Sequence, residues 1–301
     1  MKPLVIINPA AGGGKAGRLW PGLAEKLRAR VGDFDVAFTT PSRSATQLAL
    51  DAKGRDLIIA AGGDGTVNEI INGMIGVASQ PVLGLLPLGT GNDFARGLGI
   101  TSQKAALHAL RGGKSRPIDL GRITFTGPDG TKGSRHFANV ASLGLIGEVV
   151  QAAQGSALKR LFGSKLAYPL HALQVLRRYG GHRIEIERED GSVKQAHILA
   201  AAIANGRFFG AGMKVAPHAV LDDGLLDVLV AETTPKFRTL DLRLFYSGKH
   251  VDHPAISHFK ARRVRFTAMD GSRMLCETDG ELQGEGPCEI EVMAGKLRVI
   301  A

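Results

Sequence analysis

The chain has 301 residues, and 38 Lys+Arg against 28 Asp+Glu give a formal net charge of +10. At roughly 150 residues per domain this is the length of two domains, and 44% hydrophobic with 22% charged residues excludes wholesale disorder. Forty glycines without a three-residue period exclude collagen, two cysteines exclude a disulfide framework, and no run approaches the ~20 apolar residues of a membrane span.

Residues 4–7 are apolar and end in Asn8-Pro9 and a glycine cluster, Ala10-Ala11-Gly12-Gly13-Gly14-Lys15. Leu19, Leu23 and Leu27, four apart, predict a helix over about 17–30. A strand over 36–39, a helix over 44–52 and a strand over 57–61 follow. Next come Gly62-Gly63-Asp64-Gly65-Thr66, a helix from 67 to about 75, a strand over 82–86 and a second glycine loop, Gly89-Thr90-Gly91-Asn92-Asp93. Apolar strands alternating with helices predict a doubly wound parallel sheet. Ligands of such sheets bind where loops leave the carboxyl ends of the strands, and all three glycine loops follow strands.

The pattern changes after about residue 116, and the domain boundary is expected near 115–117. Strands are predicted over 118–126, 135–141, 183–189, 194–204, 225–231, 262–268 and 289–293, with hairpin-type turns at 127–130 and 189–192. A basic amphipathic helix over about 157–179 and another over 238–247 interrupt them. This half reads as an antiparallel β-domain with inserted helices.

Glycines after a strand let a backbone approach a phosphate closely, and the next helix offers unpaired N–H groups and the positive end of its dipole. Asp64 places a carboxylate in that anion-binding turn, which suits Mg2+ as the compensating charge. A tight turn capped by Asp64 fits the same five residues. The second loop repeats the logic with Asp93 and Arg96, and those two also suit an ion pair on their own helix. The 8–15 loop lacks the spacing and the hydroxyl residue of a Walker A loop, yet Lys15 can neutralise a phosphate. Asp222-Asp223-Gly224 suits either a divalent cation or an ordinary Asp-Gly turn, and Asp279-Gly280-Glu281 suits either a general base or a solvated hairpin. His250, His253 and His258 lack a nearby Cys or helix-spaced Glu, so a metal site is not expected there.

Asn8-Pro9 with its glycine-lysine loop, GGDGTVNEI at 62–70, PLGTGNDFAR at 87–96, Ile118-Asp119, Asn205-Gly206, Ala216-Pro217, LDDGLL at 221–226 and DGE at 279–281 occur in this order. Together they resemble the diacylglycerol-kinase catalytic-domain family, which includes soluble bacterial lipid kinases and the sphingosine and ceramide kinases. The resemblance covers nearly the whole chain. It implies an α/β nucleotide-binding domain over 1–117 and an antiparallel β-sandwich domain over 118–301, with an extreme C-terminus that can pack back on the first domain. It implies ATP bound along Gly63, Asp64, Gly65, Thr66, Val67, Asn68 and Glu69, with Thr90 and with Thr39 or the adjacent Thr40. Glu281 corresponds to the proton acceptor, with Asp279 beside it. Asp64, Asp93 and Asp119 correspond to an acidic network around catalytic Mg2+, and Lys15 and Arg96 to the groups that stabilise phosphate charge. A second, structural Mg2+ is implied at Asp223 with the backbone carbonyls of Val220 and Leu225.

Two segments depart from the family pattern. Ala10-Ala11 stands where many members have Ser-Gly, and residues 142–147 lack the family's aromatic and aspartate. Both bear on lipid preference rather than on the reaction.

The expected activity is Mg2+-dependent transfer of the γ-phosphate of ATP to a lipid hydroxyl, by a cytoplasmic protein in peripheral contact with an anionic membrane. The basic segment 159–178 suits that surface, and it equally suits a solvated helix face. A homodimer is left open, and nucleic acid is not an expected partner, since aromatics are only 5% and no binding motif is present. Two rivals remain. An NAD kinase shares GGDGT, although no Thr-Pro-Thr-Gly-Ser-type segment is found. A catalytically silent nucleotide-binding regulator would have no need of the acidic set.

Overall fold

The protein is described here by a computed structural model that covers residues 2–77, 80–153, 171–234 and 243–301. It divides into two compact units, Met1–Asp119 with Ala294–Ala301, and Leu120–Met293. The chain therefore leaves the first unit at Asp119 and returns to it for its last residues.

In the first unit β1 (Leu4–Ile7), β2 (Asp35–Phe38), β3 (Leu57–Gly62) and β4 (Val82–Pro87) pair in parallel in the order β2-β1-β3-β4. Val299 adds a further parallel pairing, to Leu83 of β4. β1 is wholly buried and β3 nearly so, as in parallel sheets covered by helices. Helix α1 (Lys15–Val31) packs with α5 (Gln103–Gly112), and α2 (Ala45–Leu50) with α3 (Asp64–Ile75), while the short α4 (Asp93–Gly97) follows the 89–92 loop.

Three details differ from the sequence expectation. Leu23 and Leu27 are buried as expected, but Leu19 is 37% exposed and Trp20 takes the core position beside it. Helix α3 begins at Asp64 rather than at 67, with Gly63 as its N-cap, so the GGDGT turn is itself the first turn of the helix. Helix α5 was not anticipated; it starts at Ser102, whose hydroxyl accepts from the Ala105 N–H at 3.1 Å.

The second unit is antiparallel. β5 (Ser115–Thr126), which enters it from the first unit, pairs with β6 (Lys132–Phe137). β9 (Val193–Ala204) pairs with β7 (Val140–Gly144), β8 (His182–Arg188) and β10 (Leu226–Glu232). β10 also pairs with β11 (Ile256–Ala261), and β12 (Arg263–Ala268) bridges β8 and β14 (Glu281–Ile300). β13 (Leu275–Thr278) lies between β7 and β14. Inward-facing Phe137, Ile184, Ile203, Val228, Phe266 and Ile290 lie in one shared core. On β8 and β12 buried residues alternate with exposed charged ones, the pattern of sheets with one wet face.

The single strand expected over 135–141 is two strands, because the chain breaks from the ladder at Ala138 and Asn139. Their N–H groups bind the side chain of Asp279 instead. Helix α6 (Leu145–Ala153) follows β7 and was not anticipated, nor were β11 and β13. The strand expected over 289–293 is part of β14, a much longer element. Residues 171–176 and Arg243–Ser247 are helical, and the rest of the helices expected over 157–179 and 238–247 lies largely outside the described residues.

Candidate functional site

The three glycine loops of the first unit converge at the carboxyl ends of β1, β3 and β4. A Cβ placed on Gly89 would lie 2.4 Å from the Gly63 Cα, so the 62–66 and 89–93 loops touch backbone to backbone. A Cβ on Gly12 would lie 2.7 Å from the Leu88 carbonyl oxygen, and Gly12 has φ +61°, which a glycine adopts without strain. Side chains fasten the same junction. Asn8 Nδ2 donates to Thr66 Oγ1 at 3.2 Å, and Asp64 Oδ1 accepts from the Phe94 N–H at 3.1 Å. Asn92 (φ 53°) exchanges hydrogen bonds with Gly89 through both ends of its amide, at 3.0 and 2.9 Å. A crevice lined by Gly62, Gly63, Asp64, Val67, Pro87 and Asn92 opens here.

Within the 63–69 run, Gly63, Asp64 and Gly65 are half-buried, whereas Thr66, Val67 and Asn68 are buried. Glu69 Oε2 accepts from the Ala45 N–H at 2.8 Å, which caps the start of α2. The structure thus gives Thr66, Asn68 and Glu69 work inside the fold. Thr90 is exposed on the second loop, Lys15 is exposed as the first residue of α1, and Thr39 directly follows β2 with its N–H on the Ile7 carbonyl at 2.9 Å. Asp93 is buried, with Arg96 Nε 3.6 Å from its Oδ1, while Arg96 Nη2 donates to the Gly91 carbonyl at 3.1 Å. The arginine therefore braces its own loop as well as facing the carboxylate. Asp119, also buried, accepts from the Gly295 N–H at 2.7 Å where the chain re-enters the first unit.

Among the described residues no three His, Cys, Asp or Glu side chains form a metal-ligating group. Direct ligation of Mg2+ by Asp64, Asp93 and Asp119 together is therefore not built into the fold. Asp64 and Asp93 do stand on loops hydrogen-bonded to one another, and Mg2+ ordinarily takes one or two carboxylates and completes its shell with water and phosphate oxygens. These donors fit the ion on that basis.

The second unit carries its chemistry on the β13–β14 hairpin. Thr278 and Glu281 pair across a two-residue turn of Asp279 (φ 48°) and Gly280 (φ 90°), the positive-φ pair that Asp-Gly favours. Asp279 is not a free base. Its Oδ2 accepts from the Ala138 N–H at 2.9 Å, and its Oδ1 from the Asn139 and Val140 N–H groups, both at 3.0 Å. Glu281 remains 43% exposed, with Arg135 3.7 Å from its Oε2. Behind the turn lies Glu277, fully buried, which sequence reasoning passed over because nothing in the pattern of β13 marks a buried acid. It bonds Ser142 Oγ and accepts from the Gly280 N–H at 2.7 Å. Burial pushes its pKa up to about 8, against those hydrogen bonds, so the carboxyl is largely neutral at pH 7.

The Asp223 turn has a different counter-charge from the implied one. Lys260 Nζ lies 2.6 Å from Asp223 Oδ2 and 3.6 Å from the buried Asp227, and Asp223 Oδ1 accepts from the Leu225 N–H at 3.1 Å. A cation held by Asp223 with the Val220 and Leu225 carbonyls would have to displace that ammonium or share the carboxylate with it. His258, the third member of the histidine group, donates from Nε2 to Asp227 Oδ1 at 2.7 Å, and His250 bonds the Val215 carbonyl at 2.9 Å, so the two serve separate local contacts.

Comparison with known proteins adds the following. Residues 2–123 match the family model described as the diacylglycerol kinase catalytic domain, and residues 139–301 match the YegS C-terminal NAD kinase beta sandwich-like domain. The chain is 31% identical to a diacylglycerol kinase of Bacillus subtilis (strain 168), over 98% of this chain and 95% of that one. It is 29% identical to a diacylglycerol kinase of Staphylococcus carnosus (strain TM300), over 94% and 89%. A crystal structure described as a candidate diacylglycerol kinase from Bacillus anthracis str. Sterne superposes with a TM-score of 0.79 at 27% identity, over 99% of this chain and 97% of that one. A yeast NADH kinase in complex with NADH shares the fold alone, with a TM-score of 0.51 at 13% identity, over 99% of this chain and 82% of that one.

Proposed function

Because the chain belongs to the diacylglycerol-kinase catalytic-domain family, we propose that it is a kinase that transfers the γ-phosphoryl group of ATP to the hydroxyl of a diacylglycerol-like lipid, with Mg2+. The observation that carries this reading is the backbone contact of Gly63 with Gly89, which brings two phosphate-suited loops together at the strand ends. Phosphoryl transfer is mainly positioning and charge neutralisation, and the residues divide that work. Backbone N–H groups at the start of α3 hold the donor phosphates. Asp64 and Asp93 would hold Mg2+, which draws charge from the phosphate oxygens. Lys15 and Arg96 stabilise the negative charge of the phosphate oxygens in the transition state. Glu281 orients the lipid hydroxyl and takes its proton. The +10 net charge supports peripheral contact with an anionic membrane. Among the described residues no helix is long and apolar enough to cross one.

The test is incubation of the purified protein with Mg2+, γ-labelled ATP and a panel of lipid micelles, with NAD and Asp64→Ala in parallel. Label in one lipid class, lost in the variant, is the expected result. Label in NAD, or ATP bound without turnover, would overturn the proposal in favour of the NAD-kinase or regulator reading.

A further inference from the structure

The hairpin that presents Glu281 is held from two sides, and the two holds differ in kind. Asp279 grips three successive backbone N–H groups of the 138–140 segment. Glu277 reaches the opposite way. It stands directly across from Ser142 in the antiparallel register of β13 with β7, and the ladder shifts register between Cys276 and Glu277 where the hairpin bends. One of its oxygens bonds the Ser142 hydroxyl and the other takes the Gly280 N–H. The Gly280 N–H belongs to the Asp279–Gly280 peptide, so Glu277 fixes the turn, with Gly280 at φ 90°, from which Glu281 leaves.

We propose that Glu277, seated on Ser142, is a positioning residue for the reaction: it fixes the Gly280 peptide and thereby aims the Glu281 carboxylate. This rests on the reading of Glu281 as the base. Displacing a reacting group by about 1 Å can cost about a hundredfold in rate, and a two-residue turn has no other residue to absorb such a shift.

The Ser142 and Gly280 bonds favour an ionised acceptor, whereas burial and the neighbouring acids keep the carboxyl protonated. The charged groups nearest to Glu277 are Asp279 and Glu281 of its own hairpin, and both disfavour its ionisation. β7 offers it only the uncharged Ser142, and Arg135 of β6 is paired with Glu281. The acid of α6, Glu148, acts on Tyr179 and His182 instead.

The experiment compares Glu277→Leu, Glu277→Gln and Glu281→Gln with the parent protein. It reads kcat and KM for lipid phosphorylation against pH, and hydrogen exchange at the Gly280 amide. In Glu277→Leu, kcat falls by about a hundredfold with KM for ATP unchanged, and Gly280 exchanges faster. Glu277→Gln, which presents an oxygen to Gly280 and an amide to Ser142 at every pH, restores both kcat and protection. Parent-like kcat and exchange in Glu277→Leu overturn the proposal, as does a Glu277→Gln variant as slow as Glu277→Leu. Should Glu277→Leu fail to fold, Ser142→Ala decides by the same readouts: slower turnover with faster Gly280 exchange is expected, and parent-like values overturn the proposal. Undiminished turnover in Glu281→Gln, with fast Gly280 exchange in Glu277→Leu, would overturn Glu281 as the base while supporting the hold of Glu277 on the hairpin.

Discussion

Asp223 and Asp279 each precede a glycine of positive φ at a turn of the second unit, Gly224 at 69° and Gly280 at 90°, and they are compensated in opposite ways. Asp223 is met by the flexible, partly exposed ammonium of Lys260. Asp279 is met by three backbone N–H groups that the fold has already ordered. A lysine stem loses rotamer freedom to make its pair, and water screens the result, so exposed pairs contribute little. Preordered N–H groups lose almost nothing and bond a charged acceptor strongly. The same dipeptide therefore makes a soft turn in one place and a rigid platform in the other, and the rigid one presents the proposed base.

That contrast can be broken at four points, from the largest expected effect to the smallest. Glu281→Gln removes the base that the platform presents. It should lower kcat by about 10²–10⁴-fold with an unchanged melting midpoint, measured by lipid phosphorylation and calorimetry. Asp279→Ala strands three N–H groups and should cost on the order of 3 kcal/mol, read from denaturant unfolding. An effect under about 1 kcal/mol would show the platform to be no firmer than the Asp223 turn.

The third point is pH. Glu277 has a pKa near 8 when folded against an ordinary 4.5, so between those values the unfolded chain binds fewer protons than the native one. Stability should fall as pH rises through that window and level off above it. Glu277→Gln should flatten this slope in a series of denaturant midpoints. The smallest effect belongs to Lys260→Met. Loss of the exposed ion pair should cost less than about 1 kcal/mol. Chelation of divalent ions should leave the parent's melting midpoint unmoved, whereas a structural Mg2+ at Asp223 would make that midpoint sensitive to chelator.

Much of the first unit was legible because its signals are local. Apolar runs such as 57–61 and 82–86 are short enough to be strands, and glycines after a strand end announce a close approach. The sequence by itself determined that GGDGT and GTGND stand at strand ends, that a β-rich half follows, and which acidic residues are candidates. Tertiary structure alone decided what each does. Gly63 meets Gly89 because β3 and β4 are neighbours. Thr66 and Asn68 turn inward because α3 begins three residues earlier than apolar periodicity suggests. Asp279 and Glu277 have partners about 140 residues away in the chain, a separation at which composition and spacing carry no information. Local sequence fixes which backbone shapes and charges are on offer. Only packing brings donors to acceptors, and it does so here through strand pairings that no single segment encodes.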